Sequence, residues 1–172
     1  LLGAATIPLI YWVGRLAYGS RKVALLAALA LAVAFLHVRN SHYCRQDVPA
    51  LCFGVLASAL CLRVLLRGAL TDYVAAGVAI ALGVSTKWNM LFLIPALALA
   101  HVLGSRARPR PWTFMLVGFL VIPVTVVVVD PVIALRAGEA FRTLGQFAAG
   151  TSGGRFGTGS LEVSGGWGTY LT

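Results

Sequence analysis

Residues 37–49 read His-Val-Arg-Asn-Ser-His-Tyr-Cys-Arg-Gln-Asp-Val-Pro, so His37, Arg39, His42, Arg45 and Asp47 fall within eleven positions between two apolar stretches. Charged and imidazole side chains at the edge of apolar helices are costly unless they line a wet cavity or bind a ligand. A carboxylate flanked by bases suits a phosphate-bearing lipid, a metal ion or a sugar hydroxyl. Asp47 also has a plainer reading, because it precedes Val48 and Pro49, and an acid ahead of a first-turn proline is a good helix N-cap. Capping accounts for Asp47 but for none of the bases beside it. Binding or catalysis is therefore the preferred reading, and the two roles can coexist.

Lys87 is the second outlier, set between two apolar stretches and followed by Trp88 and Asn89. An ammonium there could hold a phosphate at the membrane edge, or anchor the chain beside an aromatic-belt tryptophan. Residue chemistry leaves both readings open. His37 and His42 are potential metal ligands, but no Cys or carboxylate stands at zinc-like spacing, so no structural zinc site is expected. His37 reads as a hydrogen-bonded interfacial side chain. A divalent ion beside Asp47 remains a candidate cofactor, and His101 reads as a residue of the cytoplasmic edge. The eight glycines between 150 and 168 include no GxxxxGK[ST] run and follow no strand, which excludes a nucleotide-binding loop. Gly166-Trp167-Gly168 instead reads as turns that place an aromatic at an outer interface.

These residues need elements to hold them, and the composition says which. Of 172 residues, 59% are apolar and only 11% charged, against roughly a quarter charged in soluble domains. Such a chain cannot cover itself with polar surface, so a soluble globule is excluded. Three cysteines, two of them inside apolar runs, make no disulfide framework. The first residue is Leu1, and the first apolar stretch lacks a basic n-region, so it reads as part of a longer polytopic protein rather than a signal peptide. Apolar runs at 1–14, 23–36, 48–62, 73–86, 90–100 and 111–129 are rich in good helix formers. Flanking Arg15, Arg39, Arg63 and His101 can lengthen them by snorkelling. The expectation is an all-α polytopic membrane protein with helices at about 2–18, 23–39, 48–66, 73–86, 89–104 and 112–129. A Gly-rich extracytoplasmic segment over 130–172 follows, with a short helix around 138–149.

The connections alternate in charge. One side holds Arg15, Arg21, Lys22, Arg63, Arg67, Arg106, Arg108 and Arg110 against Asp72, a net +7; the other holds six bases against four acids, a net +2. The positive-inside rule makes the first side cytoplasmic. The formal charge of +9 is then mostly topology, and no nucleic-acid partner is expected. Asp47 and Lys87 fall on the outer side.

Three motifs in order carry a resemblance: Arg15-Leu16-Ala17-Tyr18-Gly19; His37-Val38-Arg39-Asn40-Ser41-His42 with Asp47-Val48-Pro49; and Gly83-Val84-Ser85-Thr86-Lys87-Trp88-Asn89. Together they resemble the core of the bacterial protein O-mannosyltransferase-like proteins, C-type membrane glycosyltransferases related to lipid A aminoarabinose transferases. The stretch from Asp130-Pro131 to Trp167-Gly168-Thr169-Tyr170-Leu171 is similar to that family's following outer loop. The resemblance implies a multi-pass enzyme of the bacterial cytoplasmic membrane. Such an enzyme moves a mannose-like sugar from a polyprenyl-phosphate donor to a protein, lipid or glycan acceptor on the non-cytoplasmic face. It places Asp47 at the active site, Lys87 near the donor phosphate, and Arg39, His42 and Asn89 among substrate-binding residues. It also puts the family's main catalytic carboxylate in a loop ahead of Leu1, which implies that this stretch alone is inactive. Two other classes compete. A transporter or flippase segment would favour repeated halves with a midplane site, and no repeat is evident here. A non-catalytic scaffold would leave Asp47 as a cap and Lys87 as an anchor.

Overall fold

The computed structural model describes residues 1–43 and 45–131, together with Gly138, and every regular element among them is helical. They form α1 (Leu2–Tyr18), α2 (Arg21–Ala32), α3 (Phe35–His42), α4 (Asp47–Leu66), α5 (Leu70–Thr86), a 3-10 turn (Trp88–Phe92) running into α6 (Leu93–Ala107), and α7 (Trp112–Val129). The helix expected around 138–149, apart from Gly138, lies outside the described residues, as do Cys44 and the Gly-rich stretch with Trp167 and Tyr170.

Among the described residues, three stretches are long and apolar enough to cross a membrane: α4, the 3-10 turn continued by α6, and α7, with mean hydropathies of 2.1, 1.6 and 2.5. Taken as one bent span, α2 and α3 make a fourth, and α5 is a shorter apolar helix. The protein is all-α and polytopic.

The single helix expected over 23–39 is two helices meeting at 53°. No proline or glycine marks the break. Ala34 opens the helical ladder with φ −64° and ψ 113°. The bend swings α3 over the start of α1, where His37 Nε2 donates to the Gly3 carbonyl at 3.0 Å. Gly3 has no Cβ to obstruct Ser41, which packs against it. Tertiary contact, rather than local propensity, accounts for the break.

Packing centres on α5, flanked by α4 and α7. Its Tyr73, Ala76, Gly77, Ile80 and Val84 are buried. Inside a bilayer, lipid tails are as apolar as leucine, so helices associate through close packing and hydrogen bonds rather than the hydrophobic effect. Small residues make that approach possible. A Cβ on Gly77 would strike the Gly118 carbonyl of α7, and one on Gly14 would lie 2.9 Å from the Ala24 backbone of α2.

The two ends of the bundle differ in chemistry. At one end the buried Asp72 carboxylate accepts from Arg63 Nη2 at 2.6 Å, and the same guanidinium lies 5.9 Å from the Trp12 ring centre. Arg110 donates to the carbonyls of Val64 and Leu65, the latter at 2.8 Å. Arg15 donates to the Gly19 carbonyl at 3.0 Å. Gly19, which caps the end of α1, and Gly68, in the middle of the α4–α5 link, hold the positive φ values of 65° and 69° that favour glycine. His101, expected at the membrane edge, is fully buried. The Tyr73 hydroxyl is 2.8 Å from its Nδ1, and the Tyr73 and Trp112 rings pack on it. An apolar bundle satisfies an imidazole internally when an aromatic hydroxyl can reach it.

Candidate active site

The opposite end carries the residues singled out in the sequence. Asp47 is the first residue of α4, and Lys87 directly follows α5. These helices are antiparallel neighbours, so the start of one lies beside the end of the other. Lys87 Nζ donates to Asp47 Oδ1 at 2.6 Å. The pair is half-open, with side-chain exposures of 37% for Lys87 and 40% for Asp47. Gln46, not Asp47, occupies the N-cap position, and no side chain caps the helix. The carboxylate thus points to the ammonium rather than to the backbone of its own helix, and the capping reading of Asp47 does not hold.

Lys87 reaches this place because α5 ends there. Its backbone N–H still bonds to the Gly83 carbonyl at 2.9 Å, while its own φ of −156° and ψ of 121° are extended. Thr86 Oγ1 donates to the Gly83 carbonyl at 2.7 Å. The next residues turn into the 3-10 segment and put Met90 against Gly83 and Gly54.

Asp47 also borders a hollow of about 290 Å³ between α2, α3 and α4. His37 and Asn40 supply its other polar lining, and Leu31, Ala34, Leu36, Val48 and Leu51 its apolar walls. Three positions of spacing separate His37 from Asn40, which brings both to one side of α3. Arg39 and His42 are exposed and do not line the hollow. Arg39 stacks on Phe35 of its own helix at 5.5 Å, and His42 Nδ1 lies 2.9 Å from the Val38 carbonyl. Asn89 is exposed in the 3-10 turn and does not border the hollow either. The structure therefore brings Asp47 and Lys87 together and adds His37 and Asn40, while Arg39, His42 and Asn89 stand apart. Asn40 was within the segment that drew attention, but an amide carries no charge signal to single it out.

Among the described residues no three His, Cys, Asp or Glu side chains come together as a metal-ligand set. Asp47 Oδ1 faces an ammonium instead. This donor set does not fit a divalent ion.

Comparison with known families supplies the remaining observation. The profile of the dolichyl-phosphate-mannose-protein mannosyltransferase family matches residues 1–135. The chain belongs to that family. Neither the comparison with curated proteins nor that with solved structures found a match. Family membership places this chain among the multi-pass membrane glycosyltransferases, the mannosyltransferases of protein glycosylation. The matched stretch contains the whole helical bundle from α1 to α7, including both partners of the Asp47–Lys87 pair.

Proposed function

We propose that the Asp47–Lys87 end of this bundle forms part of a site where mannose passes from a polyprenyl-phosphate donor to a hydroxyl of a protein acceptor, on the non-cytoplasmic face. The observation that carries the reading is the half-open 2.6 Å ion pair at the end of the bundle opposite the basic turns. A carboxylate and an ammonium side by side provide one group for a sugar or acceptor hydroxyl and one for a phosphate.

In the transfer, the bond between the anomeric carbon and the phosphate oxygen breaks as the acceptor oxygen bonds to that carbon. The acceptor proton goes to a general base. Asp47 orients the hydroxyl groups on one side of the reacting carbon. Lys87 turns from Asp47 toward the departing lipid phosphate and offsets the negative charge that builds there. Arg39, on the exposed side of α3, contributes only to the long-range field that draws the anionic donor.

The test is mannosyl transfer from polyprenyl-phosphate mannose to a Ser/Thr peptide, in membranes carrying the protein. Asp47→Asn keeps the size of the side chain and removes its charge. Transfer should fall by roughly a hundredfold or more, with the amount of folded protein unchanged. Wild-type turnover in this variant would refute the role of the carboxylate.

A further inference from the structure

The end of the bundle away from the Asp47–Lys87 pair carries more positive charge than its own contacts use. Three of its arginines are committed: Arg63 to the buried Asp72 carboxylate, Arg110 to the Val64 and Leu65 carbonyls, and Arg15 to the Gly19 carbonyl. Asp72 is the one acid at this end among the described residues. Arg21, Lys22, Arg67, Arg106 and Arg108 are exposed, and none has a side-chain partner among the described residues. Because α4 packs against both α1 and α6, Arg67 at its end stands between the α1–α2 turn and the α6–α7 link. Arg110 ties that link to the end of α4, which brings Arg106 and Arg108 toward Arg67. Like charges gathered in this way repel one another, so their counter-charge comes from outside the bundle.

We propose that this end of the bundle is a binding surface for anionic phospholipid, with Arg67, Arg106 and Arg108 as its central phosphate contacts. What lies beside the bases decides between a lipid and a soluble anion. Each has an exposed apolar side chain within roughly one helical turn. Leu25 accompanies Arg21 and Lys22, Leu66 and Leu70 flank Arg67, Leu103 precedes Arg106, and Trp112 follows Arg108, all between 41% and 62% exposed. A soluble anion gains nothing from leucines next to the charge. A phospholipid gains from both, because its phosphate meets the cation while its acyl chain lies along the apolar side chain. The ring of Trp112 suits the same level of the bilayer. This surface is at the far end from Asp47 and Lys87, so it is separate from the place proposed for the donor phosphate and does not depend on that reading.

The test uses spin-labelled lipids and the protein reconstituted in phosphatidylcholine vesicles, where the motionally restricted fraction reports lipid held at the protein surface. Spin-labelled phosphatidylglycerol should associate roughly three- to fivefold more strongly than spin-labelled phosphatidylcholine. Replacing the three central bases together, as Arg67→Gln, Arg106→Gln and Arg108→Gln, should cut that preference to below about half. The three side chains are exposed and unpartnered, so the change leaves the fold intact. The matching triple Arg→Lys variant keeps the charge and should keep most of the preference, since an ammonium still attracts phosphate. Equal association of the two lipids with the wild type would overturn the proposal, as would an undiminished preference in the Gln variant or an equal loss in the Lys variant. A molar excess of glycerol phosphate, added at constant ionic strength, should leave the preference unchanged. Displacement by this soluble anion would assign the surface to free phosphate and overturn the lipid reading.

Discussion

Asp47 and Lys87 are 40 residues apart in sequence and in direct contact in space. An ion pair this open to solvent is heavily screened and adds little to stability, too little to explain a carboxylate and an ammonium as a staple alone. The exchange Asp47→Lys with Lys87→Asp separates the two roles. It preserves a pair of opposite charges in the same place, so the melting temperature should stay near that of the wild type. Transfer should remain lost, because the phosphate would then meet a carboxylate. If the exchanged protein recovers transfer, the pair is a structural contact only. Both residues were legible as outliers in an apolar chain and as lying on the same side of it, but not as a direct ion pair. Contact across 40 positions depends on how α4 and α5 pack. The Arg63–Asp72 pair was less legible still, since Asp72 had been counted with the charges of a basic turn. An acid in the first turn of α5, close to Arg63 and Arg67 across a short link, was the available signal.

At the level of elements, helical content could be read directly, because apolar runs rich in alanine and leucine have few alternatives in lipid. The division of α2 from α3 could not. Its residues favour continued helix, and the bend answers to Gly3 and Ser41 on neighbouring segments. The crossing of α5 and α7 is the firmest example of what small residues do here. Gly77 faces the Gly118 carbonyl with no room for a further atom, so Gly77→Leu must push the two helices apart. Overpacking of this kind costs about 1–3 kcal/mol, and the variant should melt several degrees lower in detergent. An unchanged melting temperature would mean that α5 and α7 do not cross at these glycines. Because α5 ends at Lys87, the same variant should also weaken transfer.

Across the whole molecule, the charge asymmetry seen in the connections becomes a spatial one. The basic turns gather around Arg63, Asp72 and Arg110 at one end, and Asp47 and Lys87 lie at the other. If the positive-inside rule holds here, single cysteines will report it. In a chain whose Cys44, Cys52 and Cys61 are replaced by Ala, Lys22→Cys and Arg106→Cys should react only with an impermeant thiol reagent on the cytoplasmic side. Asn89→Cys should react only from the opposite side. Reaction of all three from one side would overturn the proposed orientation. The position of the ion pair has one more consequence. Its partners are the free ends of a helical hairpin, joined at the far end by the short Arg67–Ala69 link. Sliding α5 against α4 by a single turn would displace Lys87 by about 5.4 Å and part it from Asp47. The pair therefore works as a vernier on the alignment of the hairpin, and a misaligned copy would lose its chemistry while most of its packing survived.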